Sequence, residues 1–72
     1  GLMTDAERGK IFAEFFYNVR GAQLTHIMTG DFFVASGRCM STSLIELDFT
    51  ADTLEEAALG LLALWKETKN NG

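Results

Sequence analysis

Leu44-Ile45-Glu46-Leu47-Asp48-Phe49 is the stretch that decides the fold. Ile45, Leu47 and Phe49 alternate with Glu46 and Asp48, a period of two that specifies a strand with one buried and one solvated face. Upstream, Phe32-Phe33-Val34-Ala35 is aromatic and β-branched, and Ser36-Gly37-Arg38 supplies the glycine of a tight turn. That pattern predicts a hairpin joining the two runs. Strand side chains alternate, so either Phe32 or Phe33 must point away from the covered face. Residues 22–29 fit two geometries. Leu24, Ile27 and Met28 suit a helical turn, whereas Thr25, Ile27 and Thr29 favour extended backbone and Thr29-Gly30-Asp31 suits a turn; the strand is the preferred reading.

A helix is expected on either side of these strands. Thr4-Asp5-Ala6-Glu7 forms a capping box, and Ile11, Phe12, Phe15, Phe16 and Val19 recur at three- and four-residue spacing as one apolar stripe. Gly21 is the expected terminator of this helix. At the other end, Thr53 and Glu56 repeat the capping box. Leu54, Ala57, Ala58, Leu61, Leu62, Leu64 and Trp65 then share a second stripe. Leu59 falls off that stripe, where a helix packed on one side only would carry a polar residue. Gly60, inside a strong helix, suggests the close approach of another element. The expected fold is α+β: a single domain of residues 1–72 in the order α-β-β-β-α, a three-stranded antiparallel meander with two helices packed on one face. The alternative is α-α-β-β-α, with residues 22–29 helical. Residues 68–72 read as a frayed tail, and Gly1-Leu2 ahead of Met3 as the remnant of a purification tag.

Size and charge narrow the functional classes. With 72 residues and 47% apolar content, burial returns roughly 105 kcal/mol at ~25 cal/mol/Å². Chain ordering costs nearly the same at about 1.5 kcal/mol per residue. Such chains commonly gain stability from a disulfide, a metal or a partner. Cys39 is the single cysteine and excludes an internal disulfide, and no C-x-x-C or H-x-x-x-H spacing occurs. A partner subunit is the remaining device. The net charge of −4 opposes nucleic acid and anionic lipid alike. Apolar runs are too short to span a bilayer and no signal sequence is evident, so a cytoplasmic location is expected.

The chemistry-bearing residues are few. His26 and Cys39 are the only imidazole and thiol, with no third group marked to orient them, so no catalytic function is expected. No phosphate-loop motif occurs, and no cofactor or metal is expected. Six Phe and one Trp are many for two layers, and soluble monomers seldom expose large apolar patches. The resulting expectation is a small non-catalytic binding or adaptor protein that acts through protein–protein contacts as a homodimer. Tyr17, Phe32, Phe33 and Leu59 are its candidate interface residues. Within this class, the acidic surface of Glu46, Asp48, Asp52, Glu55 and Glu56 fits an inhibitor of a host or phage nucleic-acid-handling factor. The alternative is a small-molecule-binding domain with a pocket at a dimer seam, drawing on His26, Arg38 and Thr42.

Overall fold

The computed structural model describes residues 3–71. Its elements run α1 (Asp5–Asn18), β1 (Arg20–Ile27), β2 (Phe32–Met40), β3 (Leu44–Ala51) and α2 (Leu54–Asn71). The strands form one antiparallel sheet in the order β1-β2-β3, so the chain is an α+β meander and residues 22–29 are extended rather than helical. α2 lies across β2 and β3, while α1 lies beside α2 and over β1. The molecule is only 18 Å thick along its shortest axis, room for one sheet and one helix layer and no third.

The capping box expected for α1 is complete, whereas that expected for α2 shows its side-chain cap without a bond from the Thr53 N–H to Glu56. The Glu7 N–H donates to Thr4 Oγ1 at 3.1 Å and the Thr4 N–H donates to Glu7 Oε1 at 3.1 Å, the two arms of the box. Glu7 accepts from the backbone and the hydroxyl of Thr4, and these bonds hold its carboxyl below the ordinary value of 4.5. Thr53 caps α2 by accepting from the Glu56 N–H at 3.1 Å.

The buried core is Phe15, Val19, Ala35, Cys39, Leu47, Ala57, Ala58, Leu61 and Leu62. Alternation along β2 sends Phe33, Ala35, Gly37 and Cys39 toward α2. Their neighbours Phe32, Val34, Ser36, Arg38 and Met40 face the open side.

Four local expectations require correction. Ser36-Gly37-Arg38 is not a turn: β2 runs unbroken to Met40, and the turn lies at residues 41–43. A Cβ at Gly37 would overlap Val19 Cγ1. The glycine therefore serves the close approach of the α1–β1 junction and not a change of chain direction. Gly21 does not end α1, which stops at Asn18 with Val19 extended. Instead Gly21 adopts φ +61 where the β1–β2 register shifts between Arg20 and Gln23, the left-handed geometry that glycine permits in a bulge. Residues 68–71 are helical rather than frayed, because α2 continues through Asn71; Gly72 lies outside the described residues. Phe16, placed on the buried stripe by spacing, is 53% exposed.

Candidate functional site

The β3–α2 junction brings several expected residues together. Phe32, on the open side of β2, and Leu59, on the outer side of α2, line one shallow groove of about 750 Å³. Phe49 lies between them and is 39% exposed although its strand parity is that of the core. Its ring is seated against Gly60, where an added Cβ would overlap three ring carbons. A residue larger than glycine at position 60 would therefore push this ring outward. Asp52 and Glu56 stand on the rim of the groove.

Leu59 also borders a second depression of about 310 Å³ between the helices, where Ile11 provides apolar wall and Glu7 and Glu14 provide carboxylates. Leu59 borders both depressions. Together they make an apolar strip, Phe32–Phe49–Leu59–Ile11, flanked by Asp52, Glu56, Glu7 and Glu14, with Lys10 the one cation on its border among the described residues. No family model matches the chain, no curated protein matches it, and no solved structure matches it.

The remaining candidate residues are dispersed. Tyr17 is 83% exposed on α1, whereas Phe33 packs against the core and stacks on the His26 ring at 4.5 Å between centroids. Glu46 and Asp48 project from the open side of β3, opposite Arg38 and Ser36. Glu55 follows the N-cap of α2 and lines neither depression. His26, Arg38 and Thr42 line no common cavity. His26 is at the β1–β2 turn, where its Nε2 lies 2.9 Å from Asp31 Oδ1, and Thr42 is exposed in the β2–β3 turn at the opposite end of the sheet.

Cys39 is buried with its Sγ 3.7 Å from the Trp65 carbonyl oxygen. His26 pairs with Phe33 in the sheet register, six residues from Cys39 and thus about 20 Å away at a strand's rise. The two do not form a nucleophile–base pair. Among the described residues, no three His, Cys, Asp or Glu side chains are grouped as a metal site, and no helix is long and apolar enough to cross a membrane.

Phe49 is the residue of the strip that alternation misassigns. Its parity is inward, but it lies two residues from the end of β3, where α2 has only Gly60 to offer it. The signal was the pairing of an end-of-strand aromatic with a mid-helix glycine.

Proposed function

We propose that this chain is a non-catalytic binding protein that acts through protein–protein contacts. The observation that carries this reading is the apolar strip centred on Leu59, with four carboxylates along its borders. Aromatic side chains are enriched at the centres of interfaces, leucine adds apolar area beside them, and charges at the rim select the partner and speed encounter. The strip suits an apolar ridge flanked by lysines or arginines. An amphipathic helix with a basic polar side has that form. The acidic rim supports the inhibitor form of the proposal, in which the target is a basic surface on a nucleic-acid-handling factor.

Self-association belongs to the same reading, through a different surface. Two acidic rims would repel each other, so a second copy is better accommodated on the open face of the sheet. Ile27, Met40 and Leu44 lie at the ends of that face, and Arg38 stands in register with Glu46 beside Asp48. Opposite charges on one patch allow a two-fold pairing to match them.

The strip is tested by NMR titration with an amphipathic helical peptide of leucines and lysines. Shifts should concentrate on Phe32, Phe49, Leu59 and Ile11, weaken as salt is raised, and be lost in Leu59→Asp with the fold retained. Shifts scattered over the surface, or binding undiminished in that variant, would remove the strip from the proposal.

A further inference from the structure

The open face of the sheet is covered by neither helix, and its charges are divided between its two sides. Arg38 in β2 has Arg20 as its register partner in β1 and Glu46 as its register partner in β3. Like charges opposed across strands repel and opposite charges attract, so both neighbours favour a guanidinium turned toward β3. It is turned toward β1. Gly21 bulges with a left-handed φ, and the Arg38 guanidinium fills the space above it, with Nη2 2.7 Å from where a Cβ would stand. Glu46 and Asp48 stand on the β3 side of the same depression, which holds about 380 Å³ and is also lined by Gln23 and Ser36. Among the described residues the ion pairs are Arg8 with Asp5 and His26 with Asp31. Arg38, Glu46 and Asp48 thus share one depression with no ion pair between them.

Polar residues on the uncovered side of an antiparallel sheet are ordinary, and three exposed charges make no site by themselves. Two further features single this face out. One is an apolar end, where the register partners Met40 and Leu44 are both exposed. The other is the order of residues across the strands. The first row runs from the Arg38 guanidinium over β1 to Glu46 on β3. The next runs from Gln23 through Ser36 to Asp48, and the one after from Thr25 through Val34 to Thr50. Each row therefore carries at its two ends groups that can bond to one another: cation and carboxylate, amide and carboxylate, hydroxyl and hydroxyl.

We propose that a second copy of this chain covers the open face about a two-fold axis running close to β2, an inference that rests on the self-association included in the proposed function. Aligned sheets pack with their strands within about 30° of one another, so a two-fold axis in the interface runs either along the strands or across them. An axis across the strands would set β3 on the partner's β3 and bring two acidic strands together. An axis along β2 instead sets β1 on the partner's β3. The Arg38 guanidinium then meets the partner's Glu46, Gln23 meets the partner's Asp48 and Thr25 meets the partner's Thr50, each contact being made twice. Met40 lies near the axis and meets its own copy. Three strands of eight or nine residues make a small face, so the dimer dissociates on dilution.

The test is sedimentation of the whole chain over a range of concentrations, with the charges of one pair exchanged. Arg38→Glu and Glu46→Arg should each remain folded by circular dichroism and weaken dimerisation about a hundredfold or more, because symmetry makes every like-charge contact twice. An equimolar mixture of the two variants should dimerise as the original chain does, since both contacts again join opposite charges, and so should the double variant. A second measurement needs no substitution: in a sample mixing labelled and unlabelled chains, isotope-filtered nuclear Overhauser contacts should join Thr25 to the partner's Thr50. A mixture that stays monomeric would overturn the pairing, as would contacts between copies at Leu59 instead of Thr25. A dimer that persists in both single variants would overturn this axis and leave self-association standing, whereas an original chain that is monomeric at every concentration would overturn both.

Discussion

The two helices cover the same face of the sheet on different terms. α2 presents small or slender residues to β2 and β3: Ala57 and Ala58 are fully buried with Leu61, and Gly60 admits the Phe49 ring. α1 carries the bulkier set, Phe12, Phe15, Phe16 and Tyr17, and buries only Phe15 completely. Width explains the difference. Three strands at about 4.8 Å spacing give a face little wider than one helix of about 10 Å. The helix that sits closely takes most of this face, and the second is left to pack against its flank and the β1 edge. The lesson is that the apolar surplus of this chain follows from geometry: the side chains that the sheet cannot accommodate, Phe16 and Tyr17 on α1 and Leu59 on α2, are displayed outward.

The sharpest way to break this comparison is to truncate neighbouring aromatics of α1. Phe15→Ala removes a fully buried ring and should cost about 3–5 kcal/mol, enough to unfold a domain this small. Phe16→Ala should stay within about 0.5 kcal/mol, as surface changes do. Urea titration monitored by circular dichroism measures both, and similar losses at the two positions would mean that α1 is seated differently.

The two mid-helix glycines give the next effect, of opposite sign. Gly9 has open space around the position of a Cβ, so Gly9→Ala should stabilise by about 0.5–1 kcal/mol. Gly60→Ala should instead destabilise by about 1 kcal/mol, since displacing the Phe49 ring outweighs the propensity gain. A difference of 1 kcal/mol amounts to about 4–8 °C in melting temperature for a domain of this size. Stabilisation by both substitutions would show that Phe49 swings away freely and that the groove does not depend on Gly60.

The smallest effect is the pH response of the α1 cap. The bonds from Thr4 lower the Glu7 carboxyl in the folded chain. Its contribution is therefore fully present above the unfolded value and fades as pH falls through the lower folded one. Glu7→Gln should melt below the original chain at pH 7, and the gap should close as pH falls below the lowered carboxyl value. A gap that persists at low pH would mean that the capping bonds are not those of the carboxylate.

Most of the fold was legible because its signals are local. The Thr4/Glu7 and Thr53/Glu56 pairs start helices through contacts three residues apart, and the alternation of residues 44–49 shows itself within a single strand. Gly37 and Gly21 were misread because glycine reports only that a side chain is not wanted. At Gly37 the excluding atom belongs to Val19, eighteen residues away, and at Gly21 to Arg38, seventeen away. The site divides along the same line. Leu59 stands out by its own helix's periodicity and Phe32 by strand parity, but Phe49 joins them only through Gly60. Likewise Arg20 and Arg38 become neighbours only through strand register, which residue spacing does not specify.

The strip around Leu59 is proposed as a protein-binding surface. It is tested most directly by native mass spectrometry of the chain recovered under mild conditions from its host's lysate, beside the Leu59→Asp variant recovered in the same way. A dimer carrying a stoichiometric protein partner is expected for the original chain, and the same dimer without that partner for the variant. A bare monomer in both samples, or the same partner retained by Leu59→Asp, would contradict it.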